Sequence, residues 1–403
     1  MILKSYNRGH HYEELLEFCK NQKITNTHNH HLPDKQHEGI GLKDLLDNSY
    51  TSWCGVPLAD TEASRKDYIR LLGSNTYFYW LEKALQELCG ISQRLDENTW
   101  DVFDSTIKKR FENNRYHLDV LNSLYEKVIL DAYWNPGSNE GHPDIFAPTY
   151  RINMFLFGYS KAVCDHNGNN PFRICSWDDI PSFDDYIEAI EQQIIMKKSQ
   201  GCVALKSAVA YDRGLDFHEV QKQDAQKAYM NPKATKQEIK DFQDYVFFEI
   251  CRMAAKHHMP MQVHTGLGIM VKSNAMQLQE VITKNPKTQF ILFHGSYPWL
   301  QDVLGLIHVY KNVYADLCWL PLISTTACED FLQQLIEVGN MDKVMWGCDT
   351  WTSIESYGAV LAIRKVLSKV FSSYVDEGYV SLRLAKEYIT HILSQNARKL
   401  YNL

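Results

Sequence analysis

The chain has 403 residues, 45% of them hydrophobic and 23% charged, proportions ordinary for a globular protein in water. Its 23 Tyr, 17 Phe and 9 Trp argue against long disorder, and a dispersed net charge of −7 without a basic stripe argues against a nucleic-acid partner. The opening stretch MILKSYNRGHHYEELLEF lacks the apolar core of a secretory signal, no run approaches the roughly 20 apolar residues a bilayer span needs, and ten cysteines are scattered without a CxxC pair, which together predict a cytoplasmic protein with reduced thiols and no membrane partner.

Eight short β-branched or apolar runs follow one another along the chain: 24–30, 127–132, 151–157, 202–208, 260–265, 289–294, 312–317 and 343–348. Each is read as a strand. The first two are separated by 32–126, far more chain than a crossover helix needs. Helical patterns over 77–88 and 98–111 predict a helical cap there, over one mouth of the fold, with a separate domain as the alternative. Farther on, Ile239, Phe242, Val246, Ile250 and Met253 recur at spacings of three and four and predict a helix over 236–258, stopped by Pro260. A last amphipathic stretch covers 382–401. Strand-to-helix alternation repeated eight times predicts the α/β class and a (β/α)8 TIM barrel, one domain over 1–403 with the cap inserted after strand 1.

The first strand ends His28-Asn29-His30-His31. Side chains alternate along a strand, so His28 and His30 share a face, which in a barrel strand points inward. Two neutral imidazoles at that spacing can chelate one ion. His31 faces the other way and is read as structural. Three later strands also end on chemistry-bearing groups: His264 before Thr265-Gly266, His294 before Gly295, and Asp349 after Cys348. Strand C-termini are where a barrel projects its catalytic groups. Lys206 lies within the fourth strand between apolar neighbours, and Tyr211 and Arg213 follow in the next loop. An arginine fork suits a carboxylate. These residues therefore stand as substrate-binding candidates, with a snorkelling or paired lysine and a solvated arginine as the plainer readings.

His28 and His30 on strand 1, His264 on strand 5, His294 on strand 6 and Asp349 on strand 8 resemble the motif set of the amidohydrolase superfamily. Gln262-Val263-His264-Thr265-Gly266, Phe293-His294-Gly295-Ser296-Tyr297-Pro298 and Asn396-Ala397-Arg398-Lys399-Leu400-Tyr401 resemble its amidohydrolase-related branch. That branch includes decarboxylases and the amidohydrolase-like domain fused to some glutamine-synthetase-like proteins. No such partner domain is expected within this chain, which ends soon after the last helix. The insertion, with Tyr77-Phe78-Tyr79-Trp80 before a helix, also resembles the cap of uronate isomerases.

The resemblance implies a divalent metal held by His28, His30, His264 and Asp349, zinc by default with manganese or iron as alternatives. Binuclear relatives carboxylate a strand-4 lysine to bridge two ions. Lys206 is the matching position, but the reading adopted is one ion, with Lys206 kept as an ammonium for an anionic substrate. The expected reaction is hydrolysis of an amide, ester or lactone in a small carboxylate-bearing molecule. A water whose pKa the metal lowers towards neutrality would attack; Asp349 would move the proton, and His294 would steady charge on a carbonyl oxygen. Sugar-acid isomerisation and decarboxylation are the alternatives. A barrel that has lost catalysis is the reading from another class, and intact ligand positions speak against it. A homo-oligomer is compatible with all of these.

Overall fold

The computed structural model describes residues 9–403; residues 1–8, part of the stretch read as lacking a secretory core, lie outside the described residues. Eight strands take their places in one sheet in chain order, forming a (β/α)8 barrel: β1 Ile24–Asn29, β2 Tyr125–Leu130, β3 Phe146–Arg151, β4 Ala204–Ser207, β5 Met261–Val263, β6 Phe290–Phe293, β7 Val313–Asp316 and β8 Val344–Met345. The pairings from β3 through β8 are all parallel. Their register sets Arg151 beside Lys206, Lys206 beside Gln262 and Gln262 beside Ile291. Strands buried on both sides need near-continuous apolar runs, and Phe290-Ile291-Leu292-Phe293 is fully buried.

One strand differs from the sequence expectation. The apolar stretch 153–157 is a buried 3-10 turn, and β3 lies just before it, sharing only Arg151 with the expected run. Pro148 argues against a strand because it lacks an N–H. Its carbonyl nevertheless accepts from Val203 N–H at 3.0 Å, so the ladder towards β4 is kept.

The contacts divide the chain into two compact units: residues 1–128, 317–336 and 346–397, and residues 129–316, 337–345 and 398–403. In the first, the expected insertion is helical, with helices at Leu42–Asp47, Glu62–Leu72, Thr76–Cys89, Trp100–Arg110 and Arg115–Leu124. They close on an apolar core of their own that includes Leu45, Phe78, Leu81, Phe103 and Ile107 and is joined by Ile354. Helix Thr76–Cys89 starts on Asn75, whose side chain accepts from Tyr77 N–H, and stops on Gly90 at φ 70°. In the second unit, helix Lys236–Lys256 starts with a capping box between Thr235 and Glu238 and buries Phe242, Val246, Ile250 and Met253, as its periodicity predicts. Among the described residues no helix is long and apolar enough to cross a membrane. The ten cysteines are unbridged thiols.

Candidate functional site

In the first unit, β1 carries His28 and His30 to the same side, their rings 4.7 Å apart and nearly perpendicular. Their Nε2 atoms lie 3.4 and 3.2 Å from a single oxygen, Oδ1 of Asp349. The main chain holds this triad in place. Asp349 N–H donates to the His28 carbonyl at 2.9 Å, and His30 N–H donates to the Thr350 carbonyl at 3.0 Å. The approach requires glycine at 347: a Cβ there would meet the His28 nitrogen and Thr27 Oγ1, each at 2.7 Å. All three side chains are buried or nearly so. Burial opposes charge on Asp349, yet His28 and His30 outweigh it and hold the carboxyl well below the usual carboxylate range.

Asp349 has φ 58°. Among non-glycine residues this left-handed conformation is uncommon, though aspartate tolerates it better than most. His294 at 65°, Ser296 at 60° and Trp319 at 61° share it, all just beyond strand ends. Such departures from ordinary backbone persist where the surroundings hold them, and they gather at functional sites.

In the second unit, His264 and His294 face each other, with 3.0 Å between His264 Nδ1 and His294 Nε2. His264 Nε2 lies 2.6 Å from the Leu267 carbonyl. A carbonyl only accepts, so in the neutral ring Nε2 carries the proton and Nδ1 is the lone-pair nitrogen. A carbonyl held this way is the usual second partner of a ligating imidazole. The ring of Tyr211 packs on His264 at 4.5 Å.

Lys206 is 1% exposed, with its ammonium 3.9 Å from the centre of the Phe293 ring, a cation–π contact. Arg213 is otherwise engaged: its guanidinium pairs with the buried Asp244, donates to the Asp216 carbonyl at 3.1 Å and lies over Phe217. The structure thus draws Tyr211 to His264 and ties Arg213 into the scaffold of its own loop.

Several groups escaped the sequence reading. Arg151 at the end of β3 forms a buried fork with Asp131 just beyond β2, and its Nη1 reaches the Asn167 side chain at 2.7 Å. Asp131 sits at a strand end like the residues singled out, so position alone could have flagged it. His166, partly exposed on the following loop, has Nδ1 2.9 Å from Asp212 Oδ2, an oriented imidazole with no local signal. Glu355 accepts from Tyr50 N–H at 2.7 Å and from Trp351 N–H at 3.2 Å. Burial pushes its carboxyl up to about 8.

Comparison with known proteins bears out the resemblance. Residues 213–403 match the family model for amidohydrolases. Protein fluG of Emericella nidulans is 30% identical over 221 residues, which is 50% of this chain and 26% of that protein; the chain spans about a quarter of that relative's length. A uronate isomerase of Thermotoga maritima is 21% identical over 380 residues, covering 84% of this chain and 81% of its own. The solved uronate isomerase of Thermotoga maritima superposes with a TM-score of 0.78 at 17% identity, over 100% of both chains. Glucuronate isomerase of Caulobacter crescentus gives 0.77 at 16% identity, over 100% of this chain and 97% of its own. At these identities the superpositions speak for the barrel.

Proposed function

We propose, from the match of residues 213–403 to the family model for amidohydrolases, that this protein is a metal-dependent enzyme acting on a small carboxylate-bearing molecule. The observation that carries this is the convergence of His28 Nε2 and His30 Nε2 on one ionised oxygen of Asp349. Two imidazoles and a carboxylate at such spacing are a fitting donor set for zinc. His264, whose Nε2 is held by Leu267, is the further ligand that the strand-end motif set implies. One divalent ion is the reading adopted. When bound, it would supply Lewis acidity and lower the pKa of a bound water towards neutrality.

The chain's own residues do the rest. Asp349, ionised at neutral pH, accepts a proton and passes it to the departing group. His294 donates from a ring nitrogen towards charge that builds on the substrate oxygen. Lys206 and Tyr211 orient the anionic end. On this reading the reaction is hydrolysis of an amide, ester or lactone. A second reading, isomerisation of a sugar acid, is favoured by one observation: the match to uronate isomerases runs over 84% of this chain, too long to leave out the helical insertion. Incubating the metal-loaded protein with N-acyl amino acids, lactones and uronic acids separates the two. Release of acid from an amide or lactone supports hydrolysis, and a ketose product from a uronate overturns it in favour of isomerisation.

A further inference from the structure

An aromatic wall stands beside the metal-ligand candidate His30. Tyr50 and Trp53, from the short turn Tyr50–Cys54, meet Trp319 and Trp351. Tyr50 stacks on Trp319 at 4.5 Å and meets Trp351 edge-on at 4.8 Å. Trp53 touches Trp319 at 5.6 Å and Trp351 at 6.1 Å. Trp351 in turn stacks on the His30 ring at 5.8 Å. None of these rings belongs to the apolar core of the helical insertion, so closing that core does not explain them.

The wall is held from behind. Glu355 grips the main chain of Tyr50 and of Trp351 with its two oxygens. Trp319 is kept at a positive φ that a bulky residue rarely adopts, with its ring under Tyr50. Tyr50 and Trp319 are buried, whereas Trp53 is 53% exposed and Trp351 partly so. Buried rings thus brace an exposed indole next to the proposed chemistry. Indole faces favour flat apolar partners through stacking and area burial.

We propose that the substrate carries an aryl group that stacks on Trp53 and Trp351 while its reacting end reaches the His30 side. This rests on the metal-enzyme reading for the location of the chemistry, but the binding it asserts can be measured without turnover.

The test is calorimetric titration of the full chain with hippurate, N-acetylglycine and galacturonate as probes. The first two differ by phenyl against methyl. Hippurate is expected to bind about tenfold tighter than N-acetylglycine, a ratio within reach of one aromatic contact plus its buried area. Trp53→Ala should bring the two within about twofold of each other by weakening hippurate alone, and Trp53→Phe should restore most of the preference. Equal affinities in the unaltered protein, absence of hippurate binding at millimolar concentration, a preference that survives Trp53→Ala, or galacturonate binding that Trp53→Ala weakens would each overturn the proposal. Metal content of His28→Ala keeps the two ideas apart. Metal bound through His28 without an aryl preference refutes the aryl subsite alone. An aryl preference with metal content indifferent to His28 refutes the metal reading alone.

Discussion

Replacing Glu355 by glutamine tests the electrostatics behind the site. In the folded chain burial raises this carboxyl from 4.5 to about 8, against the pull of two main-chain hydrogen bonds. A folded pKa above the unfolded one means that the native state binds the proton more tightly. Glu355 therefore contributes stability that is complete below about pH 4.5 and is lost as pH rises towards about 8. At 1.36 kcal/mol per pKa step, the loss is at most about 5 kcal/mol. Glutamine cannot ionise, but its amide nitrogen replaces one acceptor facing Tyr50 or Trp351, at a cost of roughly 1–3 kcal/mol. In urea denaturation at pH 5, Glu355→Gln should be less stable than the unaltered protein by about that amount. The deficit should shrink or reverse by pH 9, as the native carboxyl is forced to ionise. Parallel stability curves across this range would refute the claim that Glu355 is buried as an acid.

Three further outcomes follow from the geometry. Gly347→Ala pushes a methyl into the His28 main chain and Thr27, so unfolding free energy should fall by roughly 1–3 kcal/mol and metal content should fall with it; full metal content would contradict the tight approach. Arg213→Ala leaves the buried Asp244 with Lys240 as a remaining partner, so thermal denaturation should show a loss of roughly 2–4 kcal/mol, near or below the usual cost of breaking a buried pair. An unchanged melting temperature with a raised KM would instead return Arg213 to the substrate. His294→Ala should lower kcat by roughly 100-fold or more with metal content kept, and loss of metal in that variant would make His294 a ligand.

Much of the barrel was legible because strand periodicity and strand-end chemistry are local. His28 and His30 share a face by the period of two, and the core face of 236–256 follows from spacings of three and four. Phe146–Arg151 was missed because Pro148 masks a strand, while the apolar 153–157 imitates one. The aromatic wall had no local signature: Tyr50, Trp319 and Trp351 are brought together from distant parts of the chain. The same holds for Arg213 and Asp244, 31 residues apart, whose pairing no local pattern announces.

The central claim, that His28, His30 and Asp349 hold a metal, is tested most directly by elemental analysis of protein purified without chelator, beside His28→Ala and Asp349→Asn. The account predicts about one equivalent of a divalent transition metal in the unaltered protein and a large loss in both variants that remain folded by circular dichroism. Metal-free protein that turns over a substrate, or full metal content in both variants, would contradict it.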